Sequence, residues 1–169
     1  SGLYEEYFAD LKKMGVPFLP YETYGRSPLE NSSFLVSSAN FNEKIHGKGF
    51  VARLSGSTAE FLQMWELMMN GEKLFTMQDG TLTFKLAPAI PAYLVKDDGK
   101  VETTLFGKIK VVYDCGSKRD LIPGQYAVTK YELVAADGSI ESCEAATVSG
   151  EAAQRIRDGK VAEIRVTIQ

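Results

Sequence analysis

The chain has 169 residues, 44% of them hydrophobic and 24% charged, the proportions of a soluble globular protein with room for one large or two small domains. Its net charge of −3 excludes a general electrostatic attraction to nucleic acid or to an anionic membrane. One histidine and two distant cysteines, Cys115 and Cys143, exclude a structural zinc site and read as free thiols.

Ser1-Gly2 reads as the scar of a removed tag, followed directly by an amphipathic helix over residues 3–14. Tyr4, Tyr7, Phe8, Leu11 and Met14 recur at helical spacing and form an aromatic face that needs a partner surface. The expectation is that the chain is the C-terminal piece of something longer. No apolar run reaches membrane-spanning length, and no signal peptide is read.

Residues 15–53 are rich in Pro, Gly, Ser and Asn, with one short strand expected at Ser33-Phe34-Leu35-Val36. A connection this long is usually functional. Within it, Tyr24, Arg26 and Glu30 belong to a tyrosine-rich run whose rings suit sugar faces and whose polar groups suit hydroxyls. Arg26 also suits a carboxylate or phosphate. The same residues fit a surface loop held by an Arg26–Glu30 pair. His46, between Ile45 and Gly47, suits phosphate binding or proton transfer, and equally a plain exposed histidine.

Leu54-Ser55-Gly56-Ser57-Thr58-Ala59-Glu60 then opens a helix running to Asn70. Ser57 and Glu60 have the spacing of a capping box, and Gly56 permits close approach to the backbone. The first N–H groups of a helix suit an anion, although most capping boxes bind nothing. The helix is apolar nearly all round, broken by Gln63 and Glu66, which predicts burial on most faces.

The chain divides near Phe75. Beyond it the pattern becomes strand-like at 81–87, 101–106, 108–113, 125–134, 139–144 and 161–168. Turn signals at Asp79-Gly80, Asp97-Asp98-Gly99-Lys100, Pro123-Gly124 and Asp137-Gly138 separate these strands, and one short helix fits 149–157. The fold class expected is α+β, helices first and a mainly antiparallel β-sandwich after.

Four segments come in a telling order: Glu30-Asn31-Ser32-Ser33-Phe34, His46-Gly47-Lys48-Gly49-Phe50, Leu54-Ser55-Gly56-Ser57-Thr58-Ala59, and Leu86-Ala87-Pro88-Ala89-Ile90-Pro91. Over roughly residues 15–115 the chain resembles the C-terminal end of the cellobiose phosphorylase family of inverting glycoside phosphorylases. That resemblance implies the last helices of an (α/α)6 toroid in residues 1–75 and a β-sandwich in 76–169. It implies phosphorolysis of a β-linked disaccharide in the cytoplasm, with inorganic phosphate as co-substrate and no other cofactor or metal. It places phosphate on Ser55 and Gly56; Ser57 and His46 are further candidates for phosphate, and the tyrosine-rich run makes Tyr24, Arg26 and Glu30 the candidates for carbohydrate. The partners expected are a sugar, phosphate and the missing N-terminal part, with no nucleic acid or membrane and with a homodimer allowed.

No catalytic acid is found, so the piece alone is expected to be inactive. Glu60 departs from the bulky aromatic that family members often carry there. A stand-alone carbohydrate-binding or structural β-sandwich is the competing reading, and exposed aromatics on the sheet face would favour it.

Overall fold

The computed structural model describes residues 2–15, 19–25, 32–52 and 55–169. They form an α+β protein whose sheets are mostly antiparallel. The chain separates into two compact units, residues 1–65 and 66–169.

In the first unit, α1 (Tyr4–Met14) carries Glu5 and Glu6 in its first turn and Lys12 and Lys13 in its last. That arrangement suits the helix dipole at both ends. Of its apolar face, Phe8 and Leu11 are buried while Met14 stays exposed. The short α2 (Tyr21–Tyr24) follows Pro20 and ends at Gly25 in the left-handed conformation. Strands β1 (Ser32–Leu35) and β2 (Gly49–Ala52) pair antiparallel with irregular register.

α3 spans Ser55–Asn70 and crosses from one unit into the other. It begins two residues before the capping-box serine, so Ser57 lies inside its first turn rather than at the cap. The all-round burial expected of α3 is also not found. Ala59 to Leu67 are exposed or half-exposed, with Leu62 at 59% and Leu67 at 44%; only Met68, Met69 and Asn70 are buried. Apolar composition marks a helix that can be buried all round, and over residues 59–70 only the last turn is embedded.

The last carbonyls of that turn all find donors, although the buried Asn70 Oδ1 has none. A helix leaves its last carbonyls without intrahelical donors. Here the Leu67 carbonyl accepts from Gly71 N–H, Met68 from Ala89 N–H, Asn70 from Ala87 N–H, and Met69 from the Tyr113 hydroxyl at 2.7 Å. Gly71 (φ 94°) lies so close to Ala87 that a Cβ would stand 3.0 Å from the Ala87 carbonyl and Cβ. Only glycine fits this stop.

The second unit holds two sheets. The larger has five strands: β5 (Lys100–Leu105), β6 (Ile109–Asp114), β7 (Val128–Val134), β8 (Ile140–Cys143) and β10 (Glu163–Ile168). They lie in the order β5-β6-β10-β7-β8. All neighbours are antiparallel except β6 and β10, which run parallel, a pairing that alternation alone does not reveal. The smaller sheet has the order β3-β4-β9, from Phe75–Gln78, Thr81–Phe84 and Val148–Ser149. Strands β3 and β9 are additions to the sequence reading. β4 is shorter than expected: beyond Phe84 the N–H groups of Leu86, Ala87 and Ala89 turn to the Tyr131 hydroxyl and to the Asn70 and Met68 carbonyls, and Pro88 and Pro91 have no N–H to give a ladder. α4 (Gly150–Arg157) packs on β4 and β9 with Ala153 and Ile156 buried, close to the helix expected at 149–157.

The core of this unit lies on one face of the large sheet: Val101 and Leu105, Ile109, Val111 and Tyr113, Ile164 and Val166, Tyr131 and Leu133. Three tyrosine hydroxyls fasten the end of α3 and the segment after β4 to this unit. Tyr113 donates to the Met69 carbonyl, Tyr126 donates to the Pro88 carbonyl, and Tyr131 accepts from Leu86 N–H.

Burial pushes the Cys115 thiol up to about 11 from 9.0, with the Arg119 charge opposing and that of Asp114 reinforcing the shift. Burial likewise pushes Tyr131 up to about 12 from 10.0, opposed by its hydrogen bond from Leu86, and raises Tyr113 well above 10.0. Each raised group holds its proton more tightly folded than unfolded. The associated stability is therefore whole below pH 9.0 and lost as pH climbs through the folded values. The urea midpoint should hold steady to about pH 9, then fall, and fall faster beyond about pH 10. Cys115→Ala should remove the earlier part of that fall. A midpoint constant to about pH 11 would refute the buried-proton account.

Candidate functional site

The site expected from the sequence lies in the first unit. A strand leads into α3, and the N–H groups of Ser55, Gly56 and Ser57 occupy its first turn. These are the donors that an α-helix cannot satisfy internally, at the positive end of a sixteen-residue dipole.

Between β1 and β2 runs a closed loop. The Val36 N–H donates to the Lys48 carbonyl, and Gly47 N–H donates to the Val36 carbonyl, so the ends of the loop are tied together. Inside it, the Asn40 side chain accepts from Asn42 N–H, and the Asn42 side chain accepts from Lys44 N–H to cap the 3-10 turn Glu43–Ile45. Phe41, between those two asparagines, is 98% exposed. Val36, Ser37, Ala39 and Asn40 line a shallow, open depression beside it.

His46 closes this loop. Its Nε2 lies 2.7 Å from the Asn40 carbonyl. A carbonyl only accepts, so Nε2 carries the hydrogen and is committed to Asn40.

Arg26 and Glu30 lie outside the described residues, and Tyr24 ends α2. The structure therefore gathers Ser55, Gly56 and Ser57 in one turn and places His46 in the neighbouring β1–β2 loop. It says nothing of the arginine or the glutamate. Among the described residues, no group of three His, Cys, Asp or Glu side chains is arranged to hold a metal ion. None of the helices among them is long and apolar enough to cross a membrane.

The large sheet contributes a different surface. Its outward face is one continuous ladder of ion pairs: Lys96 with Glu102, Glu102 with Lys110, Lys110 with Glu163, Glu163 with Arg165, Arg165 with Glu132, Glu132 with Lys130, and Lys130 with Glu144. Exposed pairs of this kind each contribute about 0–1 kcal/mol. The two aromatic residues of the five strands, Tyr113 and Tyr131, are both buried on the opposite face. No ring is presented there for a sugar to stack on.

Two features escape a reading of the sequence. Phe41 stands out only once the loop around it is folded. Phe106 sits at φ 54° in the β5–β6 turn, where a bulky residue is a genuine outlier. The signal for it was Gly107, which marks a turn between two strands that otherwise read as nearly continuous.

Compared with family models, with characterised proteins and with solved structures, the chain matches none.

Proposed function

We propose that this chain is the C-terminal part of a cytoplasmic carbohydrate-active enzyme of the inverting glycoside phosphorylase kind. In this reading residues 1–75 are the last helices of an (α/α)6 toroid and the strands beyond form its trailing β-sandwich. The missing N-terminal part would supply the catalytic acid, and the chain alone would be inactive. The observation that carries the reading is the start of α3 at Ser55, which puts the Ser55-Gly56-Ser57 amides among the unsatisfied donors of a long helix. The motif resemblance assigns phosphate to the same serine and glycine. The hydrogen bonds to the last carbonyls of α3 support it further, because an anion site benefits from a helix that cannot shift.

In the reaction implied, an acid protonates the leaving oxygen while phosphate attacks the anomeric carbon from the opposite face. The α3 amides would hold the phosphate, and His46 and Arg26 would supply positive charge. Sugar would lie towards Tyr24, Arg26 and Glu30. The competing reading, a stand-alone carbohydrate-binding sandwich, is disfavoured by the ion-paired outward face of the large sheet.

In the intact enzyme, Ser55→Ala removes the hydroxyl donor and adds no bulk. The loss of one hydrogen bond to a charged group is about 1–3 kcal/mol, so the KM for phosphate should rise about five- to hundredfold. Arg26→Ala should raise it as well. Phosphate dependence unchanged by both substitutions would overturn the assignment.

A further inference from the structure

The exposed edge of the small sheet points to a second site, independent of the phosphate reading. β3 and β4 form a two-residue hairpin through Asp79 (φ 48°) and Gly80 (φ 77°), the conformation of a type I′ turn. The register pairs Gln78 with Thr81 and Thr76 with Thr83, and Lys85 N–H donates to the Leu74 carbonyl. In an antiparallel ladder, alternate residues bond towards the partner. Residues 74, 76 and 78 therefore turn their backbone groups towards β4. Phe75 and Met77 turn theirs outward, along an edge with no neighbouring strand among the described residues.

This edge lacks the usual protection. Phe75-Thr76-Met77-Gln78 contains no charge and no proline, the devices that normally blunt an exposed strand. Its apolar side is also uncovered. Met77 is 63% exposed, and Phe106 is 48% exposed and stacked on Phe75 with ring centroids 6.2 Å apart and planes 16° apart. The strained backbone of Phe106 thus holds a ring beside the edge rather than in the core.

We infer that this edge pairs with the same edge of a second copy of the chain, antiparallel about a two-fold axis at Thr76. The register follows from the backbone. Phe75 of one copy faces Met77 of the other, twice, so all four outward N–H groups and all four carbonyls of these residues find partners. Thr76 faces its own counterpart as the non-hydrogen-bonded pair. Charge agrees with the same register. Lys73 and Asp79 flank β3, are exposed, and have no ion-pair partner among the described residues. The two-fold puts Lys73 of each copy beside Asp79 of the other. One self-complementary patch therefore satisfies backbone, apolar side chains and charge together, as a two-fold interface requires. The product is a continuous six-stranded sheet.

Sedimentation equilibrium of the full chain over a concentration series should show a monomer–dimer equilibrium. Met77→Pro removes an outward donor and no bond to β4, and should weaken the dimer by at least about tenfold. Met77→Lys, which places a charge on an already exposed residue, should do the same without any demand on the fold. The register has its own test, in a Cys143→Ser background. Cα atoms of a non-hydrogen-bonded pair lie about 4.5 Å apart, within disulfide range, so Thr76→Cys should cross-link on mild oxidation. Gln78→Cys should not, because its counterpart lies about 13 Å along the strand. The proposal is overturned by a chain that stays monomeric to about 1 mM, or by a dimer indifferent to both Met77 substitutions. It is equally overturned by cross-linking that favours Gln78→Cys, or by an edge that takes up an unrelated extended peptide while the chain remains monomeric.

Discussion

Ile164→Ala should cost about 2–5 kcal/mol of stability, at the upper end of that range. Ile164 is fully buried in β10, the central strand of the large sheet. It pairs with Val111 on one side and Leu133 on the other, both buried. The cost of such a truncation depends on how far the surroundings can collapse into the void. Here the backbone on both sides is held in a hydrogen-bonded ladder, so little collapse is available. Domains of this kind have about 5–15 kcal/mol in total, so the loss is a large fraction of the whole. Urea unfolding should show a lower midpoint with an unchanged slope. The control is the next residue. Arg165→Ala, on the outward face, removes two exposed ion pairs and should cost no more than about 1 kcal/mol. A smaller loss at Ile164 than at Arg165 would contradict the burial described for this strand.

Tyr113→Phe should cost about 1–3 kcal/mol, although it removes a single oxygen. The hydroxyl is fully buried and donates to the Met69 carbonyl, one of the last carbonyls of α3. Without it that carbonyl keeps its burial and loses its donor, and the desolvation penalty is no longer offset. Tyr131→Phe strands the buried Leu86 N–H by the same logic and should cost a similar amount. Tyr126→Phe should cost less, because Tyr126 is half-buried and water can replace it at the Pro88 carbonyl. Thermal or urea unfolding of the three variants gives the order directly. Equal losses at all three would mean that burial does not set the cost.

Much of the second unit is legible before any coordinates are known. Glu163-Ile164-Arg165-Val166-Thr167-Ile168 alternates as a strand with one wet face must, and Asp137-Gly138 and Asp79-Gly80 sit in turns as their chemistry demands. Three things were not legible. β3 and β9 are too short to show a period. The parallel β6–β10 pairing depends on partners far apart in sequence, and no local pattern encodes it. The start of α3 was misplaced because Ser57 and Glu60 mimic a capping box inside a helix that already exists.

The candidate site was legible as chemistry and not as geometry. The run from Ser55 to Glu60 reads as a helix entrance, but its first residue does not follow from the sequence. The role of His46 is different: its Nε2 serves the Asn40 carbonyl, and only the folded loop shows that commitment.

The central place of β10 also sets an order of events for folding. The β5–β6 and β7–β8 hairpins are local and can close within microseconds. Neither can become a sheet with the other, because the strand that joins them is the last in sequence. Until it arrives, β6 and β7 each show a bare, apolar edge, and those two edges can stick to each other or to a neighbour's. Closing the stretch from residue 115 to 162 is a slow, non-local step. The yield of native protein should therefore hinge on a race between that single insertion and the premature meeting of two half-sheets.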